Sequence, residues 1–194
     1  MLSLLTDLQR LKRLDRTGWV LRGLAPGAES VGAHTFGVAC AAMLLADEAR
    51  ARGVELNVER VLRLALLHDV AEARTGDMPR TMAKYYEASA RTRAERAAFD
   101  DVIGGLDVQL KKVYSRLHAD YEERASVEAK LVKAADIVDL LAQALAFERA
   151  GARELDEFWE GAAEREFGLE GAAREVVNET LVALVAARAE LHKG

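Results

Sequence analysis

Two histidines and several carboxylates interrupt stretches of sequence that are otherwise apolar, and those interruptions are where chemistry can reside. In VLRLALLHDVAEA (61–73), His68 and Asp69 are adjacent, and Leu64, His68 and Glu72 recur every fourth residue. On one continuous helix these three share a face, and the adjacent pair can lean toward a common point beside the axis. In KLVKAADIVDLL (130–141), Asp136 shares a face with Val132 and Leu140, among Ala134, Ala135, Ile137 and Val138. A carboxylate in such company costs several kcal/mol unless positive charge meets it. His34 stands near the start of the apolar run VGAHTFGVACAAMLL (31–45).

Each residue has an ordinary reading. The histidines can be hydrogen-bonded core residues, Asp136 can pair with Lys133, Asp69 with Arg63 or Arg74, Glu72 can be solvated, and Asp77 can cap a helix that begins at Pro79. A single divalent ion explains His34, His68, Asp69 and Asp136 together. Two imidazoles and two carboxylates make a mixed nitrogen and oxygen set suited to Mn²⁺, Co²⁺, Fe²⁺, Ni²⁺ or Zn²⁺, with Mg²⁺ also admitted. Four protein ligands leave positions on an octahedral ion for water and a phosphate oxygen.

The elements that must carry these residues read as helices throughout. Ala, Leu, Glu and Arg dominate, only two prolines occur, and no segment alternates apolar and polar residues. The pattern predicts helices at roughly 3–14, 31–52, 57–73, 79–87, 90–103, 107–122, 125–150 and 169–192. Asn57 and Glu59 suit a helix start, and Gly53 suits a helix end. The expectation is an all-α fold in one domain spanning 1–194, with its core at about 11–150 and a C-terminal helix at about 169–192. That C-terminal helix carries an apolar surface (Val176, Leu181, Leu184, Val185, Leu191), which core packing and a partner subunit explain equally well.

Composition narrows the function. The chain of 194 residues is 51% hydrophobic and 30% charged, the balance of a soluble globular protein. No apolar run is long enough to cross a bilayer, and Asp7 and Arg10 interrupt the N-terminus too early for a secretory core, so a cytoplasmic location is expected. The lone Cys40 permits no intramolecular disulfide or cysteine cluster and reads as a small buried hydrophobe. A net charge of −5 argues against a nucleic-acid polymer as ligand but not against a mononucleotide, which needs only one or two local cations. The early basic residues Arg10, Lys12, Arg13, Arg16 and Arg22 read mostly as a solvated face.

The order His34 … His68-Asp69 … Asp136 resembles the H…HD…D signature of the HD-domain metal-dependent phosphohydrolases. The segments RTGWV (16–20), ESVGAH (29–34), LLHDVAEARTGDMPR (66–80) and YEERASVEAKLVKAAD (121–136) resemble the branch containing 5'-deoxynucleotidases. The likeness runs from about Leu11 to Glu148. It implies His34, His68, Asp69 and Asp136 as metal ligands, Glu72 and Asp77 as an acid–base pair, and Arg16 and Trp19 as substrate contacts. Some nucleotidases of this group have Arg directly before Trp; here Thr17 and Gly18 intervene, and Arg22 is a second candidate for the phosphate. The remaining histidines, His118 and His192, lie in polar segments read as exposed, which favours one ion over two. The implied protein is a metal-dependent 5'-nucleotidase acting on (deoxy)ribonucleoside 5'-monophosphates, as a homodimer. Hydrolysis of another phosphoester, such as a guanosine polyphosphate or a cyclic nucleotide, and a non-catalytic nucleotide-binding module are the alternatives.

Overall fold

The protein is described by a computed structural model covering residues 1–193. It is all-α: α1 (Leu2–Leu11), α2 (Thr17–Val20), α3 (Val31–Ala51), α4 (Val58–Leu67), α5 (Glu72–Thr75), a 3₁₀ turn (Arg80–Tyr85), α6 (Ala88–Val102), α7 (Val108–Glu123), α8 (Val127–Arg149), α9 (Asp156–Trp159) and α10 (Gly171–Leu191). Among the described residues the sole β pairing outside helices is an isolated bridge between Asp15 and Ser30. No helix among them is long and apolar enough to cross a membrane.

The chain divides into two compact units, residues 1–36 with 66–123 and residues 37–65 with 124–194. In the first, Leu4, Leu8 and Leu11 recur along one face of α1 and pack with Val31, Val70, Ala73, Phe99 and Ile103. His118 belongs to this interior. It is 5% exposed and its ring stacks on Phe99 at 4.1 Å, so the expectation of an exposed residue fails. The sequence around it is polar, but α7 is amphipathic, and position 118 falls beside Leu117 and Tyr121 on the buried side.

In the second unit α8 is apolar on nearly every side, and Ser126 opens it by accepting a hydrogen bond from the Ala129 amide at 3.1 Å. The apolar surface of α10 is partly spent on this core: Val176 and Leu181 are buried together with Val177, Leu184 and Val185 are half-buried, and Leu191 is exposed. Arg188 fixes that helix to α8 through a forked contact with the buried Glu148 at 2.8–3.1 Å. His192 is exposed, as expected, and Cys40 is half-buried rather than buried. Asn57 Oδ1 accepts from the Arg60 amide at 3.0 Å, and Gly53, at φ +89°, ends α3, both as the sequence predicts.

Two helical expectations fail. The helix expected over 57–73 stops at Leu67; residues 68–71 form a turn before the four-residue α5. The α-helix expected over 79–87 is a 3₁₀ turn at Arg80–Tyr85.

A candidate metal centre in the first unit

The break after Leu67 gives the histidine–aspartate pair its geometry. Released from the helix, the His68 and Asp69 side chains turn toward one another, with His68 Nε2 at 3.1 Å from Asp69 Oδ2. The turn is held from within, since the Glu72 amide donates to the Asp69 carbonyl at 3.0 Å. Leu64, His68 and Glu72 therefore do not share one helix face as the periodicity suggests; Glu72 opens a separate helical turn.

His34 arrives from α3. Ser30 Oγ accepts from the Ala33 amide at 3.1 Å and so caps this helix, placing His34 in its first turn. The imidazoles of His34 and His68 are edge to face, with centroids 5.4 Å apart, and His34 Nε2 lies 3.7 Å from the same Asp69 oxygen. Tyr121 backs the His68 ring at 5.6 Å. Both histidines are buried.

The third approach is made by the 15–30 loop. Its base is closed by the Arg16 amide donating to the Glu29 carbonyl at 3.0 Å and the Val31 amide donating to the Leu14 carbonyl at 2.8 Å. This sets Arg16 at the start of α2, where Nη1 meets Asp69 Oδ2 at 3.1 Å and Asp77 Oδ1 at 3.5 Å. Asp77 Oδ2 accepts from the Thr17 amide at 2.5 Å, and Thr17 Oγ1 donates to the Asp77 carbonyl at 2.9 Å. Asp77 thus caps α2, sixty residues earlier in the chain, and not a helix beginning at Pro79. Asp69 pairs with Arg16 rather than with Arg63, which binds Glu59, or Arg74, which binds Asp7 and Asp101. Burial alone would raise the Asp69 carboxyl, but the charges of His68, Arg16 and His34 and the hydrogen bond from His68 outweigh it and hold the group well below the usual carboxylate range.

Trp19 is 1% exposed, and its Nε1 donates to Glu29 Oε2 at 2.5 Å. Its ring faces are therefore covered in this structure. Glu29 is a site residue that reading the sequence missed; its signal was the carboxylate that opens ESVGAH, which the loop closure brings to the tryptophan. Arg22 follows α2, half-exposed, with Nη1 at 3.4 Å from the Leu21 carbonyl. Asp136 belongs to the second unit; it is 9% exposed on α8, with Lys133 Nζ at 2.7 Å from Oδ2, the pairing that is its ordinary reading.

The donor set fits a divalent ion. An ion about 2.0–2.2 Å from imidazole nitrogen and carboxylate oxygen has neighbouring ligand atoms roughly 3.0–3.5 Å apart. The separation of 3.1 Å from Asp69 Oδ2 to His68 Nε2 lies at that spacing, and the 3.7 Å to His34 Nε2 lies slightly beyond it. The ionised carboxylate that a metal requires is the form in which Asp69 is held.

An all-helical scaffold with a histidine–aspartate turn facing a second histidine defines the class: the chain belongs to the HD domain family, which it matches over residues 8–167. Among its relatives, the 5'-deoxynucleotidase HDDC2 of Danio rerio is 35% identical over 76% of this chain and 70% of its own length. The human protein of that name is also 35% identical, over 76% and 68%. The 5'-deoxynucleotidase hdd1 of Schizosaccharomyces pombe is 31% identical over 79% and 77%. Among solved structures, a conserved hypothetical protein from Pyrococcus furiosus superposes with a TM-score of 0.82 at 33% identity, covering 96% of this chain and 99% of that one.

Proposed function

We propose that this chain is a divalent-metal-dependent 5'-nucleotidase that releases phosphate from (deoxy)ribonucleoside 5'-monophosphates. The observation that carries the reading is the convergence of His34, His68 and Arg16 on one oxygen of Asp69, in a chain about a third identical to proteins named 5'-deoxynucleotidase. His34, His68 and Asp69 are three of the ligands, and Asp136 is proposed as the fourth. Its burial among alanines and valines on α8 supports this, because a carboxylate there gains from a neighbouring cation. The bound ion would supply Lewis acidity toward a phosphoryl oxygen and a water of lowered pKa.

The protein's own groups do the rest. Arg16, its fork already aligned by Asp69 and Asp77, offers its remaining N–H groups to the substrate phosphate, with Arg22 as a second donor. Glu72 and Asp77 form the proposed proton-transfer pair. One accepts a proton from the attacking water as its oxygen bonds to phosphorus; the other gives a proton to the 5'-oxygen as the P–O5' bond breaks, leaving nucleoside and inorganic phosphate. Trp19, buried against Glu29, acts by shaping the loop that carries Arg16. A single HD domain, a cytoplasmic location and a homodimer complete the proposal. With Val176 and Leu181 of α10 committed to the core, the exposed Val108, Leu110 and Val113 of α7 suit the dimer surface better.

The test is phosphate release from a panel of deoxy- and ribonucleoside monophosphates, guanosine polyphosphates and cyclic nucleotides, with Mn²⁺ or Co²⁺ and after chelation. Monophosphates should be turned over only with metal. Glu72→Ala should abolish turnover while elemental analysis still finds the ion; undiminished turnover in that variant refutes the assignment.

A further inference from the structure

The cleft between α1 and the α5 turn shares only Glu72 with the residues proposed for the reaction above. Its volume is about 660 Å³, and Thr6, Gln9, Arg10 and Arg13 line one side with Glu72 and Arg74 opposite. That volume lies in the range of small-molecule pockets, roughly 300–1,000 Å³. The three arginines of the lining face one carboxylate. Arg74 is saturated by Asp7 at 2.7 Å and Asp101 at 2.5 Å. Arg10 is not: its side chain is 61% exposed, and its guanidinium reaches Asp7 only at 3.7 Å and donates to the Ala73 carbonyl at 3.4 Å. Arg13 is exposed one turn further on and has no carboxylate partner among the described residues. None of His34, His68, Asp69, Arg16 or Asp77 lines the cleft, whereas Glu72 does.

We propose that this cleft binds a nucleoside di- or triphosphate as a regulatory ligand, with its phosphates between Arg10 and Arg13. Two guanidiniums with open N–H groups one turn apart suit an anion carrying more than one phosphate, and bidentate contacts are what such forks make best. The cavity has room beyond the phosphates, and Thr6, Gln9, Leu14 and Ala73 offer the mixed polar and apolar wall that a nucleoside uses. The far wall is α5, a single turn whose first residue is Glu72 and whose Ala73 carbonyl Arg10 already holds. Drawing Arg10 onto phosphate changes the support of that turn, and with it the position of Glu72. This regulatory half rests on the catalytic reading of Glu72; the binding half does not.

The experiment titrates dATP, in buffer with excess Mg²⁺, into the metal-loaded full chain and reads binding by calorimetry. Arg13→Glu is compared with Lys12→Glu, an exposed neighbour outside the lining that changes the net charge equally. The proposal expects Arg13→Glu to weaken binding at least about ten-fold and Lys12→Glu less than about two-fold, because contact and not the long-range field is being removed. Absent binding, or equal losses in the two variants, overturns it. A parallel assay follows kcat on a deoxynucleoside monophosphate: dATP should alter it in the native chain and not in Arg13→Glu, and an unaltered kcat despite binding overturns the regulatory half. If no variant hydrolyses any monophosphate while the binding pattern holds, the proposed function fails and the cleft assignment stands.

Discussion

Replacing Arg16 with methionine keeps the length and apolar stem of the side chain and deletes the charge that joins two carboxylates. In the native chain Nη1 lies 3.1 Å from Asp69 Oδ2 and 3.5 Å from Asp77 Oδ1, and the two carboxylates are 17% and 7% exposed. Removing one partner of a buried ion pair costs about 3–5 kcal/mol, because the remaining charge stays desolvated. Asp69 keeps His68 and His34 within reach, so the lower end applies, about 3 kcal/mol. For a chain of this size each kcal/mol moves Tm by about 2–4 °C, so the metal-stripped variant should melt roughly 6–12 °C below the native protein. Loading with Mn²⁺ places compensating charge against Asp69 and should narrow the gap, so the ion raises Tm more in Arg16→Met than in the native chain. Scanning calorimetry with and without metal reads both quantities. A stripped-state loss below about 2 °C, or a smaller metal-induced rise in the variant, refutes the idea that Arg16 serves as the internal counter-charge of the site.

Three further perturbations separate structural roles from chemical ones. Trp19→Phe removes the donor to the buried Glu29 and should cost about 1.5–3 kcal/mol with KM for a monophosphate unchanged; a raised KM at native Tm would instead make Trp19 a substrate contact. Burial holds His118 at a pKa of about 4 against an ordinary 6.5, with Arg96 adding to the depression and Asp100 opposing it. The unfolded chain therefore takes up a proton that the folded chain refuses, so this contribution is intact above pH 6.5 and about 3 kcal/mol is lost as pH falls toward 4. His118→Leu should flatten urea-unfolding stability over that window, and an unchanged slope counts against the assignment. A Cβ on Gly37 would lie 2.0 Å from Asp139 Oδ1, so Gly37→Ala should destabilise, although alanine favours a helix interior by about 1 kcal/mol. Asp139→Ala in the same chain should recover the loss, and additive losses would show that the carboxylate simply swings away.

The parts legible in the sequence are those fixed by local physics. Ser126, Asn57 and Gly53 mark helix ends because a cap or a positive φ is a property of one residue and its neighbours. The helices α3, α8 and α10 follow from long apolar periodicity. The histidine–aspartate pair was legible for a related reason, since polar residues inside an apolar run demand partners, and the partners found within the first unit are each other, His34 and Arg16.

What sequence could not supply was the path of the chain between such points. The run 61–73 contains no glycine or proline to announce a break, so periodicity extends the helix through His68 and sets Glu72 on its face. The turn at 68–71 exists because tertiary contacts reward it. An unbroken helix would direct His68 and Asp69 about 100° apart; unwinding the backbone there lets both reach one point, with the Glu72 amide on the Asp69 carbonyl securing the new course. Asp77 shows the same limit. Next to Met78-Pro79 it reads as a local cap, yet its amide partner is Thr17, sixty positions away, reached because the Asp15–Ser30 bridge closes a loop whose ends carry no signal of pairing. In both cases the departure from local expectation occurs at a residue proposed for the chemistry. Tertiary contacts override local helical preference where they are strong enough, and here those contacts are the ion pairs and hydrogen bonds that assemble the site. Weakening them at Arg16 should therefore loosen the 68–71 turn along with the carboxylates, and faster amide exchange at Glu72 in Arg16→Met would register that coupling directly.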